Sequence, residues 1–375
     1  MKRTLVALAV AGAFLAPAAA MADGSGVTLS GVVHGDIGFG QEKDNDGNKV
    51  YKSQPNIGTF ATRWGIDGTE DLGWAQAIFG LAMDQQFAGP NRRTSDEFTS
   101  NGGVNNNNNQ ADPSSVQNRN SYLGLSGGFG TVKIGQNEHL YEIQQILQDP
   151  DPASENSFST LSLMTDWGGA HQGFTRRDSQ SIWYVSPDFA GATIQAAYIT
   201  PAGGKNATLS PYGLQLGASW KAAFGLSLYG AFAQYNDGDG TNSKNKAFRV
   251  GAGYGMELFQ VDVFGEQLKY TSDAGDNDKR TNIGVSGALN FGQHHIRLAV
   301  SQAGKLKSNG NTVADTGARL GLIGYAYTLS KRTELQVNYG KLDNKAAAQF
   351  GAAGGGVGAA GNDASRFGVG IRHTF

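Results

Sequence analysis

Thr281-Asn282-Ile283-Gly284-Val285-Ser286-Gly287-Ala288-Leu289-Asn290-Phe291 alternates with a period of two. Ile283, Val285, Gly287, Leu289 and Phe291 share one face, and Asn282, Gly284, Ser286, Ala288 and Asn290 share the other. Successive strand side chains point to opposite sides, so this is a strand with one apolar and one polar surface. Working outward, the pattern recurs in Ile296, Leu298 and Val300 against Arg297 and Ser301, and in Leu335, Val337 and Tyr339 against Glu334, Gln336 and Asn338. It recurs again in Leu214, Leu216 and Trp220 against Gln215, Ser219 and Lys221. A sustained helical period is hard to find anywhere in the chain.

Composition narrows what such strands build. Met1-Lys2-Arg3, the apolar run Leu5 to Leu15 and Ala20-Met21-Ala22 before Asp23 form the charged start, core and small-residue site of a secretory signal peptide. Residues 1–22 are therefore expected to be removed and 23–375 to fold as one domain. Zero cysteines in an exported protein exclude disulfide staples and thiolate sites. A net charge of −2 gives no reason to expect a nucleic-acid partner. Glycine, at 55 of 375 residues, is about twice its usual share, whereas proline numbers 9, which favours tight turns and crowded strands over disorder.

Past the signal no apolar run reaches the ~18 residues of a spanning helix. A membrane-spanning form must then be a closed barrel, since lipid satisfies no open sheet edge. The mean hydropathy of −0.35 suits strands with every second residue facing a watery lumen. A secreted sandwich or solenoid would need apolar residues on both packed surfaces, and the second face here is polar or glycine.

Connections come in two sizes. Short turns stand at 71–73, 127–130, 186–188, 223–225, 257–258, 291–293 and 329–331. Long polar loops stand at about 40–59, 88–117, 138–175, 201–210, 236–245, 272–279, 305–315 and 344–364. Turns at one rim and eight loops at the other predict a sixteen-stranded antiparallel transmembrane β-barrel. The Asn105 to Asn109 run and the Ala/Gly tract from Ala346 to Gly361 are expected to be mobile surface loops.

Thr62-Arg63-Trp64-Gly65-Ile66-Asp67-Gly68-Thr69-Glu70-Asp71-Leu72-Gly73 resembles the second strand and first periplasmic turn of the general trimeric porins of Gram-negative outer membranes. Ser121 to Gly127, Phe129 to Gln136 and Ser181 to Pro187 extend the resemblance, as does the ending in Phe375 with Phe367, Val369 and Ile371 in step. It implies a homotrimer in the outer membrane, in contact with its lipid and lipopolysaccharide, passing ions and small hydrophilic solutes passively. Phe375 is then the signal read by the barrel-assembly machinery, and an interfacial anchor as well.

The same resemblance makes the connection Asn137 to Thr175 the third loop, folded into the pore as its constriction. Asp149, Asp151 and Glu155 lie nearest its middle and are its candidate acids; Glu138, Glu142 and Asp166 are others. Facing them, Arg63, Arg119 and Arg177 match the family's basic wall, and Lys133 points inward by alternation. Opposed charges across a narrow gap would set up a transverse field; the alternative is that these cations only solvate the wall or pair with neighbouring acids. Arg119 shares parity with the lumen only if its strand bulges, and Lys133 lies near the short-turn rim. Val32, Trp183 and Val185 occupy inward positions where relatives are more polar, which would narrow the pore. Trp64, Tyr184, Tyr198, Trp220, Tyr254, Tyr325, Tyr327 and Tyr339 recur near strand ends as an interfacial girdle.

No cofactor or metal is expected. Asp44 to Asn48 and Asp237 to Gly240 are rich in oxygen ligands but lack the spacing and closing glutamate of a calcium loop. None of His34, His139, His171, His294, His295 and His373 falls in a HExxH pattern or beside a GxSxG elbow. The chain is read as a diffusion channel and not an enzyme. Its rivals are a porin preferring a sugar, carboxylate or peptide and, further off, a barrel enzyme or adhesin.

Overall fold

A computed structural model describes residues 25–50, 53, 55–58, 62–85, 116–141, 159–160, 163–171, 173–174, 177–200, 209, 211–237, 241–351 and 359–375. The expected signal peptide, the Asn105 to Asn109 run and the loop acids Asp149, Asp151 and Glu155 lie outside the described residues.

The alternating stretches form one antiparallel sheet. Its strands are β1 (Gly26–Lys43), β2 (Pro55–Gly58), β3 (Arg63–Asp71), β4 (Gln76–Gln85), β5 (Val116–Gly127), β6 (Gly130–Glu138), β7 (Arg177–Val185), β8 (Ala192–Ile199), β9 (Tyr212–Lys221) and β10 (Leu226–Asn236). Then come β11 (Lys244–Gly255), β12 (Phe259–Thr271), β13 (Asn277–Phe291), β14 (His294–Ala303), β15 (Lys307–Ser308), β16 (Asn311–Thr312), β17 (Ala318–Ser330), β18 (Thr333–Asn344) and β19 (Asp363–Thr374). Each pairs with its neighbour in sequence, except that β2 and β3 both pair with β1 and not with each other, and that β15 and β16 make a small hairpin beside β13 while β14 pairs directly with β17. Because β2 and β3 run along the same side of β1, they form one stave, and the barrel has sixteen.

Closure is made by β1, which pairs through Val32–Lys43 with β19 and through Gly26–Val32 with β3. Beyond β19 the seam continues in Phe375, whose N–H donates to the Gly31 carbonyl at 3.0 Å and whose carbonyl accepts from the Gly31 N–H at 3.1 Å. A Cβ on Gly31 would lie 2.3 Å from the Phe375 ring. Only glycine leaves room for the ring on that wall.

Alternation sets what each face meets. Ile283, Val285, Leu289 and Phe291 are 42–56% exposed, while Asn282, Ser286 and Ala288 are buried toward the barrel axis. Exposed apolar residues on stave after stave form the continuous outer belt of a membrane barrel. Tyr184, Tyr198, Trp220, Tyr254, Tyr325 and Tyr339 are among them, at the belt's borders.

The inner face is not uniformly polar, as its pattern had suggested. Leu320, Leu322 and Leu342 point inward and are buried with Leu163 of the connection between β6 and β7 and with Phe350 of the connection between β18 and β19. Ala231, Ala233, Ala247 and Leu268 likewise receive Tyr141, Trp167 and Phe174. Small and apolar wall residues appear where loops enter the lumen and displace its water. The Ala/Gly tract is described only at 346–351 and 359–361, and its first part departs from the surface loop expected of it: Ala348 and Phe350 are fully buried, and the Gln349 N–H donates to the Gly168 carbonyl at 3.3 Å.

Candidate functional site

One wall of the lumen, built by β3 to β7, brings a cluster of charged side chains together. Arg63 opens β3 and stands in register with Asp84 on β4. On β5 the ladder shifts between Ala82 and Met83, which face Asn120 and Asn118, so Arg119 is an extra, bulged residue. Bulges bend the strand and re-aim side chains. This is the bulge that Arg119 needed to reach the lumen.

A second irregularity, between Gly135 and Asn137 of β6, sets Glu138 opposite Arg177 of β7. Gly135 sits at φ 135°, and a Cβ there would lie 2.1 Å from the Ser121 carbonyl oxygen. The site's geometry is thus written into two departures from regular strand.

Five charged side chains converge between them. Arg119 Nη1 donates to both Asp84 oxygens, at 3.1 and 3.3 Å, and its Nη2 donates to Glu138 Oε1. Arg177 Nη2 stands 3.8 Å from Asp84 Oδ2 and 3.8 Å from Glu138 Oε1. Arg63 adds its field to both carboxylates. Among the described residues, three guanidinium groups thus meet two carboxylates on this wall. In a narrow lumen with low-dielectric walls, the field of such a cluster is focused rather than screened away.

Lys133 belongs to a separate group nearer the short-turn rim. Its ammonium lies 4.2 Å above the Tyr122 ring, beside Asp67, and Lys133 is in register with the buried, inward Trp183. Trp183 packs with Leu140, Ala197 and Ile199.

The connection between β6 and β7 leaves this wall and crosses the lumen. At its root, Tyr235 Oη donates to Asp178 Oδ2 at 2.9 Å and accepts from Gln215 Nε2 at 2.9 Å, and His139 Nε2 shares the same hydroxyl. The Leu140 N–H donates to Gln215 Oε1 at 2.7 Å. Across the barrel, Glu266 on β12 accepts from Tyr141 Oη at 2.9 Å, the Thr165 N–H at 2.6 Å and Asn282 Nδ2 at 2.8 Å, and pairs with Arg249 Nη2 at 2.7 Å. Arg249 also donates to the Tyr141 carbonyl at 3.0 Å, and Arg280 to the Trp167 carbonyl at 3.0 Å. Phe350 lies under the Arg280 guanidinium, 5.0 Å from it. The described parts of the loop are therefore moored to β10–β13.

Sequence reasoning missed three parts of this arrangement. Asp84 shares its face with Gly80 and the buried Ala82, and inward parity alone could have found it. Glu138 was one acid of the loop; its pairing depends on a bulge that alternation does not announce. The Glu266 anchor requires knowing which stave faces the loop. Among the described residues, no group of three or more His, Cys, Asp or Glu is arranged to hold a metal ion.

Comparison with known proteins agrees with this geometry. The sequence profile of the family described as "Gram-negative porin" matches residues 6–347. Outer membrane porin protein 32 of Delftia acidovorans is 29% identical over 389 residues, covering 100% of both chains. The major outer membrane protein P.IB of Neisseria sicca is 26% identical, covering 91% of this chain and 94% of its own. Among solved structures, an anion-selective porin from Comamonas acidovorans superposes with a TM-score of 0.67 at 23% identity, covering 94% of this chain and all of its own. OmpT of Vibrio cholerae in a trimer form gives 0.66 at 14% identity, covering 94% of this chain and 100% of that one.

Proposed function

We propose, from the premise that this chain belongs to the family of Gram-negative porins, that its arginine wall makes it an outer-membrane diffusion channel favouring small anions. The channel itself follows from family and fold: a closed barrel with an apolar belt outside and a loop-narrowed aqueous lumen passes solutes down their gradients. The anion preference rests on one observation, the convergence of Arg63, Arg119 and Arg177 on one stretch of wall, with Asp84 and Glu138 between them among the described residues. A permeant anion meets guanidinium groups held apart by their own counter-ions, so they attract without collapsing onto it. The anion-selective porin of similar fold supports this reading, and the trimer form of OmpT supports a homotrimer. Asp149, Asp151 and Glu155 are proposed to oppose the wall from the loop, and Lys133 to extend the basic track toward the periplasm.

Planar-bilayer recording of the refolded mature protein under a salt gradient tests this. Wild type should open in groups of three steps with a reversal potential on the anion side. Arg63→Ala/Arg177→Ala removes two of the three guanidinium groups from this wall and should move the reversal potential to the cation side, changing the permeability ratio several-fold. A reversal potential indifferent to both substitutions would sink the assignment while leaving the channel standing.

A further inference from the structure

Arg119 and Arg177 stand against carboxylates, whereas Lys133 has none in reach. Inward on β6 between the exposed Val132 and Ile134, it is half-buried, and among the described residues its ammonium makes no hydrogen bond or ion pair. The ammonium rests instead on the face of the Tyr122 ring, 4.2 Å from the centroid. That ring in turn lies across Gly80, where a Cβ would stand 2.5 Å from it. Asp67, which accepts from the Tyr122 hydroxyl at 3.5 Å, lends Lys133 its field from beyond ion-pair reach.

The neighbours of Lys133 along the same level of the sheet are apolar. It is opposite Trp183 of β7 on one side and Gly124 of β5 on the other, and Gly124 is opposite Ile78 of β4. Val185 follows Trp183 on the inward face of β7, one step nearer the short-turn rim. Ile78 and Val185 are half-buried. Trp183 is buried, and its indole N–H has no acceptor among the described residues. A Cβ on Gly124 would lie 2.3 Å from the Val132 carbonyl oxygen, so the interval between Ile78 and Lys133 carries no side chain of its own.

A cation without a counter-ion in an apolar setting is costly to leave bare, and water or a visiting anion must supply what the protein withholds. Apolar neighbours add nothing to the binding of chloride, which has no hydrocarbon surface to bury. They do add to the binding of an acid whose carboxylate stands at Lys133 while its body covers Trp183, Val185 and Ile78.

We propose that Lys133 and these side chains form a resting station for small organic acids with an apolar body, so that the channel favours them over inorganic anions and over hydroxy acids of equal charge. The station deepens the anion-channel reading and rests on it for the arrival of the anion. It is separate in space: from Glu138 to Lys133 the strand descends five residues, ~13 Å after allowing for tilt, and none of its side chains belongs to the arginine cluster.

The test records the potassium chloride current of the full mature protein in planar bilayers while benzoate, benzamide or lactate is added. Benzoate should interrupt the current at a concentration about tenfold below lactate, the difference made by burying roughly 60 Å² of apolar surface. Uncharged benzamide at the same concentration as benzoate should leave the current uninterrupted. Lys133→Met keeps the apolar stem and should abolish the benzoate interruptions. Val185→Gln, at a half-buried position, should bring benzoate and lactate to within about twofold of one another. The heat-resistant folded band on gels verifies both barrels. Equal block of wild type by benzoate and lactate overturns the proposal, and so does benzoate block that persists in Lys133→Met. Failure of the arginine reading looks different: a wild-type reversal potential on the cation side, with benzoate still interrupting the current through Lys133, would overturn that reading and leave this station standing.

Discussion

Glu266 is the residue on which the narrowing of the lumen turns. Its two oxygens hold both arms of the crossing loop, through Tyr141 and Thr165, and balance the fully buried Arg249. Glu266→Gln keeps the shape but removes the charge and turns one acceptor into a donor. Breaking one partner of a buried pair typically costs about 3–5 kcal/mol. The sheet does not depend on it, so the loss falls on the loop. Single-channel recordings should show a noisier and larger conductance while the barrel keeps its heat-resistant folded band on gels. An unaltered conductance would show that the loop is held by other contacts.

Asp166, in the same loop, gives that attachment a pH dependence. Burial pushes its carboxyl up to about 6, against the Gly168 and Trp167 N–H groups and the charge of Arg280, which pull it down. The folded state therefore binds the proton more tightly than the unfolded chain, whose carboxyl keeps its ordinary value near 3.8. The cost of ionising Asp166 in place is fully felt above pH 6 and is relieved as pH falls toward 4. It amounts to at most ~3 kcal/mol. Melting curves of wild type and Asp166→Asn should accordingly diverge at pH 7.5, with the variant higher, and converge near pH 4. A constant difference would exclude Asp166 as the titrating group.

At the scale of elements, the seam between β1 and β19 is the sharpest steric constraint. The Phe375 ring and the Arg63 carbonyl both crowd the place where Gly31 would carry a Cβ, at 2.3 and 2.8 Å. Gly31→Val should lower the refolded fraction several-fold, read as the heat-modifiable band, with Gly31→Ala intermediate. Gly321, with nothing within 4 Å of a built Cβ, is the control, and its alanine variant should refold as wild type. Equal yields for Gly31→Val and wild type would mean the ring swings clear at no cost.

The same scale shows what could be read in advance. Strand existence, the apolar face and the two sizes of connection were legible, because period-two alternation is local and lipid enforces it on every stave. The loop expected at 272–279 is shorter, since β12 runs to Thr271 and β13 begins at Asn277. Polar residues at strand ends look the same paired or unpaired, so the boundary was not written in the pattern. Arg119 marked the limit from the other side: its parity clashed with the strand, and the conflict itself pointed to the bulge. The partners of the arginines were not legible, since Asp84 and Glu138 reach them through register and bulge, which emerge only when neighbouring strands pair.

For the whole molecule, the inner face was the least legible surface. Leu320, Leu342 and Ala233 interrupt the polar wall, and Leu163, Phe350 and Tyr141 belong to the same buried clusters. Packing between a loop and a distant stave leaves no periodic trace. The moorings of the crossing loop also fix a sequence of events in biogenesis. Tyr141 waits for Glu266, 125 residues later, and Arg280 reaches the Trp167 carbonyl across 113 residues. Contacts of such long range form late, after the chain between them has been ordered. The loop can be locked at both arms only when the staves that carry Glu266 and Arg280 stand in place, so its final tightening is expected to be among the last events in the making of each barrel.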